Sequence, residues 1–440
     1  MMEDTLMQSA PSLPRPREAC PLGTHHVCFH DLEQLRRLVG TRDVLARRKK
    51  SEVFYQGIEA RQRLPQGMHD RCEEFVYAAG GMPSRRDLDG LARHLPVHYK
   101  VIRLHSHRVA AGEVWDLTVR GEAYWPELDY LEELYVFLHV DHLVLENGAR
   151  VVVRGNVMAV ECGTLERASR EPHPEPVSAD CFDIGILPTP DSVDRNASLN
   201  TGARGVDGRP GARGADGASV RVEGSIFGPW LSAPDGETRV ETDGQDGGRG
   251  GTGQHGRQGR NGGMCRLADI RIGRLIGFTD NPLRVFSQAG RGGPGGDGGN
   301  GGDGGDGGHG GAGAAAVNGH VPFGNGGKGG DGGNGGDGGN GGNGGISSNV
   351  FLQLRPEDCS HVQVLSLPST GGDPGRGGAG GIAGERGTGA VSPVKSSGGT
   401  DGAAGRDGAN GVAGRIGKAR PGARIFIVST TGEGNCANEE

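Results

Sequence analysis

Residues 290–313 read G-RGG-PGG-DGG-NGG-DGG-DGG-HGG-AG, and residues 325–345 read NGG-KGG-DGG-NGG-DGG-NGG-NGG. Four sparser stretches, starting at Gly202, Gly244, Gly372 and Gly399, keep glycine at every third residue. A period of three is that of the left-handed polyproline II helix, which has a rise of about 3.1 Å per residue and no internal hydrogen bonds. Each triplet position then forms one face. A glycine column is a face without side chains, which a second backbone can approach closely enough to share N–H and C=O groups. Seven triplets span about 65 Å, so six such segments match in length side by side. A segment with two bare faces accepts more neighbours than a segment with one. The two double-glycine stretches are therefore expected at the centre and the other four at the periphery.

Two other readings fit the composition less well. Collagen shares the Gly-X-Y signature but brings abundant proline, whereas these stretches hold only Pro210, Pro294 and Pro374. A flexible Gly-rich linker needs neither a register nor a common length. The repeat pattern of residues 200–428 resembles the glycine-rich helix bundles of a snow-flea antifreeze protein and of phage tail-fibre adhesins. In architecture it is also similar to the amino-terminal domain of Obg-type GTPases, where six glycine-rich helices spring from a small β-sandwich. That resemblance implies a contact of the rod tip with ribosome or RNA, without GTPase activity. Gly417-Lys418 is followed by Ala419 and Gly327-Lys328 by Gly329, so neither supplies the Ser or Thr of a P-loop.

Between the glycine stretches lie short runs rich in Val, Ile, Leu and Phe, the pattern of β-strands. They cover residues 219–224, 237–241, 265–273, 283–288, 349–355, 361–367 and 423–428. If direction alternates at every connector, residues 265–289, 346–371 and the last strand gather at one end as a β core. The opposite end then collects Ile226, Phe227, Trp230 and Leu231 with Val321, Phe323 and Pro393. In a chain with 5% aromatic residues, such a cluster at the tip of a rod marks a contact surface.

The first 200 residues are of another kind. Residues 1–28 read as a loose tail and residues 29–96 as helical, with Leu32, Leu35, Leu38 and Val39 at helical spacing. Residues 97–165 shift to a period of two, with Asn147-Gly148 marking a turn. Residues 166–200 form a proline-rich loop, 201–428 hold the glycine stretches with interleaved strands, and 429–440 form a tail. The fold expected is an α+β N-terminal region followed by a β-sandwich or solenoid body carrying a six-helix polyglycine II bundle.

Candidate metal ligands lie in the β-rich part. His105 and His107 alternate, so on one strand both rings face the same side; Glu113, His139 and Asp141 complete the candidate set. The pattern is similar to the His-x-His plus Glu of cupins, with a different spacing before the Glu. Cys20, His25, His26, Cys28 and His30 form a second cluster without paired CxxC spacing. The aspartates of the dense stretches recur on one face about 9 Å apart, too far for a single column to enclose calcium. Their expected role is solubility.

A net charge of −7 speaks against generic nucleic-acid binding. No N-terminal apolar run is long enough for a signal peptide or a membrane span, which points to a cytoplasmic chain with export by another route left open. The function expected is that of a non-enzymatic structural or binding protein without a cofactor, whose rod presents a tip to another protein or a surface ligand. A metal-binding protein or metal-dependent enzyme with a divalent ion on the β-rich domain is the alternative.

Overall fold

The computed structural model describes residues 22–30, 97–125, 134–168, 176–189, 200–232, 240–317, 319–393, 398–429 and 435–436. Residues 97–125 and 134–167 supply β2 (Val97–Val109), β3 (Val114–Asp116), β4 (Leu134–Leu145), β5 (Arg150–Arg154) and β6 (Val157–Arg167). They continue into β7 (Ile184–Leu187), β10 (Ala268–Ile272), β11 (Leu275–Ile276), β12 (Leu283–Gln288), β15 (Val350–Leu354), β16 (Val362–Leu367) and β17 (Ile425–Ser429). The chain passes back and forth between two sheets. One is ordered β2-β4-β6-β10-β15-β17 and the other β16-β12-β7-β5-β3, and every pair within these runs is parallel. Each turn of the coil therefore adds one rung to each sheet.

Register stacks like on like. Ile102, Leu138, Val160, Ile270, Leu352 and Ile427 form one column across the first sheet. All six face the main core, opposite Val151, Val153, Ile184, Val285 and Val362 of the second sheet. Burying each such aliphatic side chain is worth about 1.5–3 kcal/mol. A buried ion network supports the second sheet: Asp183 accepts from Arg167 Nη2 at 2.7 Å, Arg284 Nη2 at 3.0 Å and the Arg284 backbone N–H at 2.8 Å. The ends of the first sheet are covered by strands running the other way, β1 (Gly23–Phe29) on β2 and β18 (Asn435–Cys436) on β17.

The glycine stretches are insertions at one corner of this coil. In the early rungs β5 passes to β6 through Gly155 and Asn156 alone. At the same corner the chain leaves β7 for segments 202–219 and 244–263 before β10. It leaves β12 for segments 290–313 and 325–345 before β15, and β16 for segments 372–389 and 399–418 before β17. Numbered one to six, the odd segments run alongside one another and so do the even ones. The bonds Gly205 N–H to Asp297 O and Gly295 N–H to Asp373 O join the odd row. Those from Gly256 to Asp337 O and Gly335 to Ala409 O join the even row. Bonds such as Gly293 N–H to Arg260 O and Gly336 N–H to Gly299 O stitch the rows together. Segments three and four each bond four neighbours, whereas one and six bond two. Their double glycines explain why: a Cβ on Gly298 would lie 1.9 Å from Gly336 O, and one on Gly299 2.1 Å from Val206 O.

Several expectations are corrected. The α+β class and the six-helix bundle are overturned: the regular structure of the described residues is strand, and helix is confined to α1 (Gly121–Tyr124) and a 3-10 turn at Pro356–His361. A helix in the ordinary sense closes its own hydrogen bonds, while the glycine segments give theirs to other segments. A sandwich is only partly right, since both facing sheets are parallel products of one coil. The tail drawn over residues 1–28 contains most of β1, and the loop drawn over 166–200 contains β7. The helical region 29–96 lies, apart from Phe29 and His30, outside the described residues.

The aspartates and asparagines of the array are hydrogen-bond acceptors, beyond the solubility role expected of them. Asp303 Oδ1 accepts the Ile382 N–H at 2.8 Å while the adjacent Gly304 N–H donates to Ile382 O at 2.8 Å. The same two-bond clamp recurs from Asp297 and Gly298 onto Arg376, and from Asp337 and Gly338 onto Val412. Asp and Asn serve equally because one oxygen on a short side chain suffices. At His255 and His309 a ring Nδ1 takes the same place.

Candidate functional site

The connectors at the far end of the array build the most exposed apolar surface among the described residues. β8 (Arg221–Ser225) and β9 (Gly228–Ser232) form a hairpin whose two-residue turn is Ile226-Phe227. Ser225 closes the turn, its Oγ donating to Gly228 O at 2.7 Å and accepting the Phe227 N–H at 3.2 Å. Gly228 takes a φ of 107°, a left-handed-side conformation suited to glycine. With the backbone so engaged, the two side chains project: Ile226 is 94% and Phe227 78% exposed. Trp230 follows on β9, exposed, across from Glu223.

A second hairpin, β13 (Ala314–Ala316) and β14 (Gly319–Val321), stands against the first. The Val317 N–H donates to Pro229 O at 3.0 Å. The chain then returns through Pro322, whose carbonyl accepts from Thr242 Oγ1 at 3.1 Å, and the third connector begins where the Ala390 N–H bonds Gly324 O at 2.9 Å. All three connectors thus share one end. Of the residues expected there, Ile226, Phe227, Trp230 and Pro393 are exposed, and Leu231, Val321 and Phe323 are half-buried. The two hairpins carry Ile226, Phe227, Trp230, Leu231 and Val321 on neighbouring backbones, Phe323 follows the second hairpin, and Pro393 lies on the third connector. Val317 and Val391, exposed at 64% and 90%, also belong to the tip. A single valine in a turn carries no periodic signal, so sequence reading passed over both.

The metal candidates are divided. The first sheet bends between residues 104 and 106, where the paired register of β2 and β4 skips His105 and Asp141. Inward residues change parity there, from Leu138 and Val140 to Leu143 and Leu145. His105 and His107 consequently part company, contrary to the expectation of a shared face. His105 Nδ1 meets Asp141 Oδ2 at 2.9 Å on the surface, and His139 lies 3.6 Å from Asp141 and 3.4 Å from Glu161. His107 instead packs on Trp115 with ring centroids 4.0 Å apart, its Nε2 buried without a hydrogen-bond partner. Burial lowers its pKa, against a weaker opposing pull from Glu113. The Glu113 carboxylate accepts the Ala110 N–H at 2.9 Å. In the second cluster, His26 stacks on Tyr124 at 3.4 Å and His25 bonds Leu22 O, while Cys20 lies outside the described residues. Among the described residues no group of three or more His, Cys, Asp and Glu side chains is placed to hold a metal ion.

Buried thiols belong to the core. Burial pushes Cys162 up to about 12 and Cys265 up to about 11, so neither is a thiolate at neutral pH. Among the described residues no helix is long and apolar enough to cross a membrane. Compared with protein-family models, characterised proteins and solved structures, the chain shows no match.

Proposed function

We propose that this chain is a non-enzymatic binding protein in which the rung body anchors a stiff glycine array, and the array holds out an apolar tip for contact with another protein. The observation that carries the reading is the pair Ile226-Phe227, 94% and 78% exposed on a turn tied by Ser225, beside Trp230 and Val317, with Val391 exposed on the third connector of the same end. Exposed aromatic and aliphatic anchors of this kind form the centre of protein interfaces, where a few side chains supply most of the affinity. The segment-to-segment bonds beneath them favour a spacer that holds its shape, so little ordering is lost on binding.

Photo-crosslinking from position 227 identifies the partner, and binding is then measured with the purified pair. Phe227→Ala and Trp230→Ala are expected each to weaken binding at least tenfold, with an unchanged thermal transition. A partner that binds both variants as tightly as the parent chain would refute the tip as the contact surface.

A further inference from the structure

The strand β8 has an open edge beside the exposed pair Ile226-Phe227. The hairpin register sets Ser225 against Gly228, Gly224 against Pro229, Glu223 against Trp230, Val222 against Leu231 and Arg221 against Ser232. In an antiparallel ladder, pairs that exchange N–H···O bonds alternate with pairs whose N–H and C=O groups point outward. Pro229 fixes the phase. It has no N–H to exchange, and its carbonyl accepts the Val317 N–H of the second hairpin at 3.0 Å. Gly224, opposite it, therefore turns its N–H and C=O to the other side of the hairpin, and so does Val222 two residues away.

The two edges of the hairpin differ in what stands beside them. On the β9 side the second hairpin is so close that a Cβ on Gly228 would meet Val317 Cγ2 at 3.0 Å. On the β8 side all five residues are exposed, and a Cβ on Gly224 would meet nothing within 4 Å. The N–H and C=O of Val222 and Gly224 have no protein partner among the described residues. The open stretch ends at Val220, whose N–H donates to Ala312 O at 2.9 Å.

Side chains give this edge a chemistry. Arg221 and Glu223 share one face with Trp230, and Val222 lies on the other with Leu231. Glu223 Oε1 accepts from Ser232 Oγ at 2.9 Å, and the Arg221 guanidinium has no ion pair among the described residues. An antiparallel strand laid on β8 meets Gly224, Glu223, Val222 and Arg221 in that order. Opposite charges and β-branched residues directly across such a pair stabilise it, and the empty place beside Gly224 suits an aromatic ring. The complement of the edge thus reads aromatic, basic, β-branched, acidic. A second copy of β8 is not that complement. Pairing Val222 with Gly224 of a second copy sets Glu223 against Glu223. Pairing Val222 with itself drives Gly224 of the second copy onto the Val220 amide that Ala312 already holds.

Resting on the tip as the contact surface, we infer that its protein partner enters as an extended segment, aromatic, basic, β-branched and acidic in order, which adds a strand to β8 through the backbone groups of Val222 and Gly224. Strand addition of this kind takes affinity from main-chain bonds and specificity from alternate side chains.

The probe is a phage library of random 12-residue peptides panned on the full chain. Enriched peptides are expected to carry the four-residue order, and synthetic copies should bind the parent at least tenfold more tightly than a Val222→Pro chain. That substitution removes only an outward N–H and keeps every bond to β9, so the thermal transition should not move. Val222→Ala, which retains the N–H, should stay within threefold of the parent. In the complex the Val222 and Gly224 amides should become protected from hydrogen exchange. Peptides that lose affinity with Phe227→Ala yet bind Val222→Pro as tightly as the parent would overturn strand addition and leave the tip reading intact. Peptides that need the Val222 N–H and ignore Phe227→Ala would keep the edge and refute Ile226-Phe227 as the contact. A library without any peptide dependent on the Val222 N–H would overturn the inference, as would a dimer of the chain that Val222→Pro dissociates, which gives the edge to a second copy.

Discussion

The rung body and the glycine array are built by one chain on one coil, yet they are held together by opposite means. In the body, inward side chains such as Leu138, Val160 and Ile270 fill the space between two sheets, and the backbone bonds follow from that packing. In the array the space between segments is too small for a side chain, and the glycine N–H and C=O groups themselves are the contact surface. Apolar burial tolerates local adjustment because side chains can repack. Contact between backbones leaves nothing to repack, so the array should be the more sensitive to added atoms and the less sensitive to the identity of its outward residues.

The largest effect should come from one side chain at the centre of the array. A Cβ on Gly336 would stand 2.0 Å from Gln254 O, so Gly336→Val should abolish protection of the array amides in hydrogen exchange. Gly224→Ala, at a glycine with nothing within 4 Å, should change stability by less than about 0.5 kcal/mol. Protection in the array of the Gly336→Val chain equal to that of the parent would remove the contrast. In the body the sensitive element is charge. Asp183→Ala removes the carboxylate that the buried guanidinium groups of Arg167 and Arg284 share and should cost about 3–5 kcal/mol in denaturant unfolding.

A smaller effect sharpens the account of the clamps. Asp303→Ala deletes the acceptor of the Ile382 N–H and should cost about 1 kcal/mol, whereas Asp303→Asn keeps the oxygen and should be close to neutral. An equal loss in both variants would mean that the charge, and not the acceptor, matters. The smallest effect is acid sensitivity. The His309 N–H bound by Asp216 and the Arg406 N–H bound by Asp331 hold both carboxyls below the usual aspartate value. A depressed folded pKa contributes stability above the unfolded value, about 3.9, and that contribution is lost as the pH falls through the folded value. The array should therefore loosen in hydrogen exchange below about pH 4, and replacing both residues by Asn should flatten that limb.

Much of the array was legible because its rule is local. Glycine spacing reports how many faces of a segment are bare, and the two segments with two bare faces do bond four neighbours. The strand at Leu283–Gln288 was likewise readable from its own apolar residues. His105 and His107 were misread because the alternation rule holds only while a strand keeps its regular pairing, and the ladders of β2, β4 and β6 all skip the level of His105, Asp141 and Gly163. The clamps were missed since an Asp beside Gly looks the same whether it faces water or a neighbouring amide. At the tip, Phe227 and Trp230 stood out in a chain poor in aromatics, while Val317 gained its place only when the second hairpin met the first.

By itself, then, the amino-acid order determined the period of three, the bare faces of each segment, and the alternating apolar strands between them. These are properties of a few successive residues and their allowed conformations. Only the tertiary structure decided that the strands coil between two parallel sheets, that every glycine excursion leaves from one corner, and that Asp or Asn pairs with Gly to grip a residue some 75–93 positions away. Those outcomes depend on which distant backbones become neighbours, and a backbone donor looks alike from every position in the chain until its partner is in place.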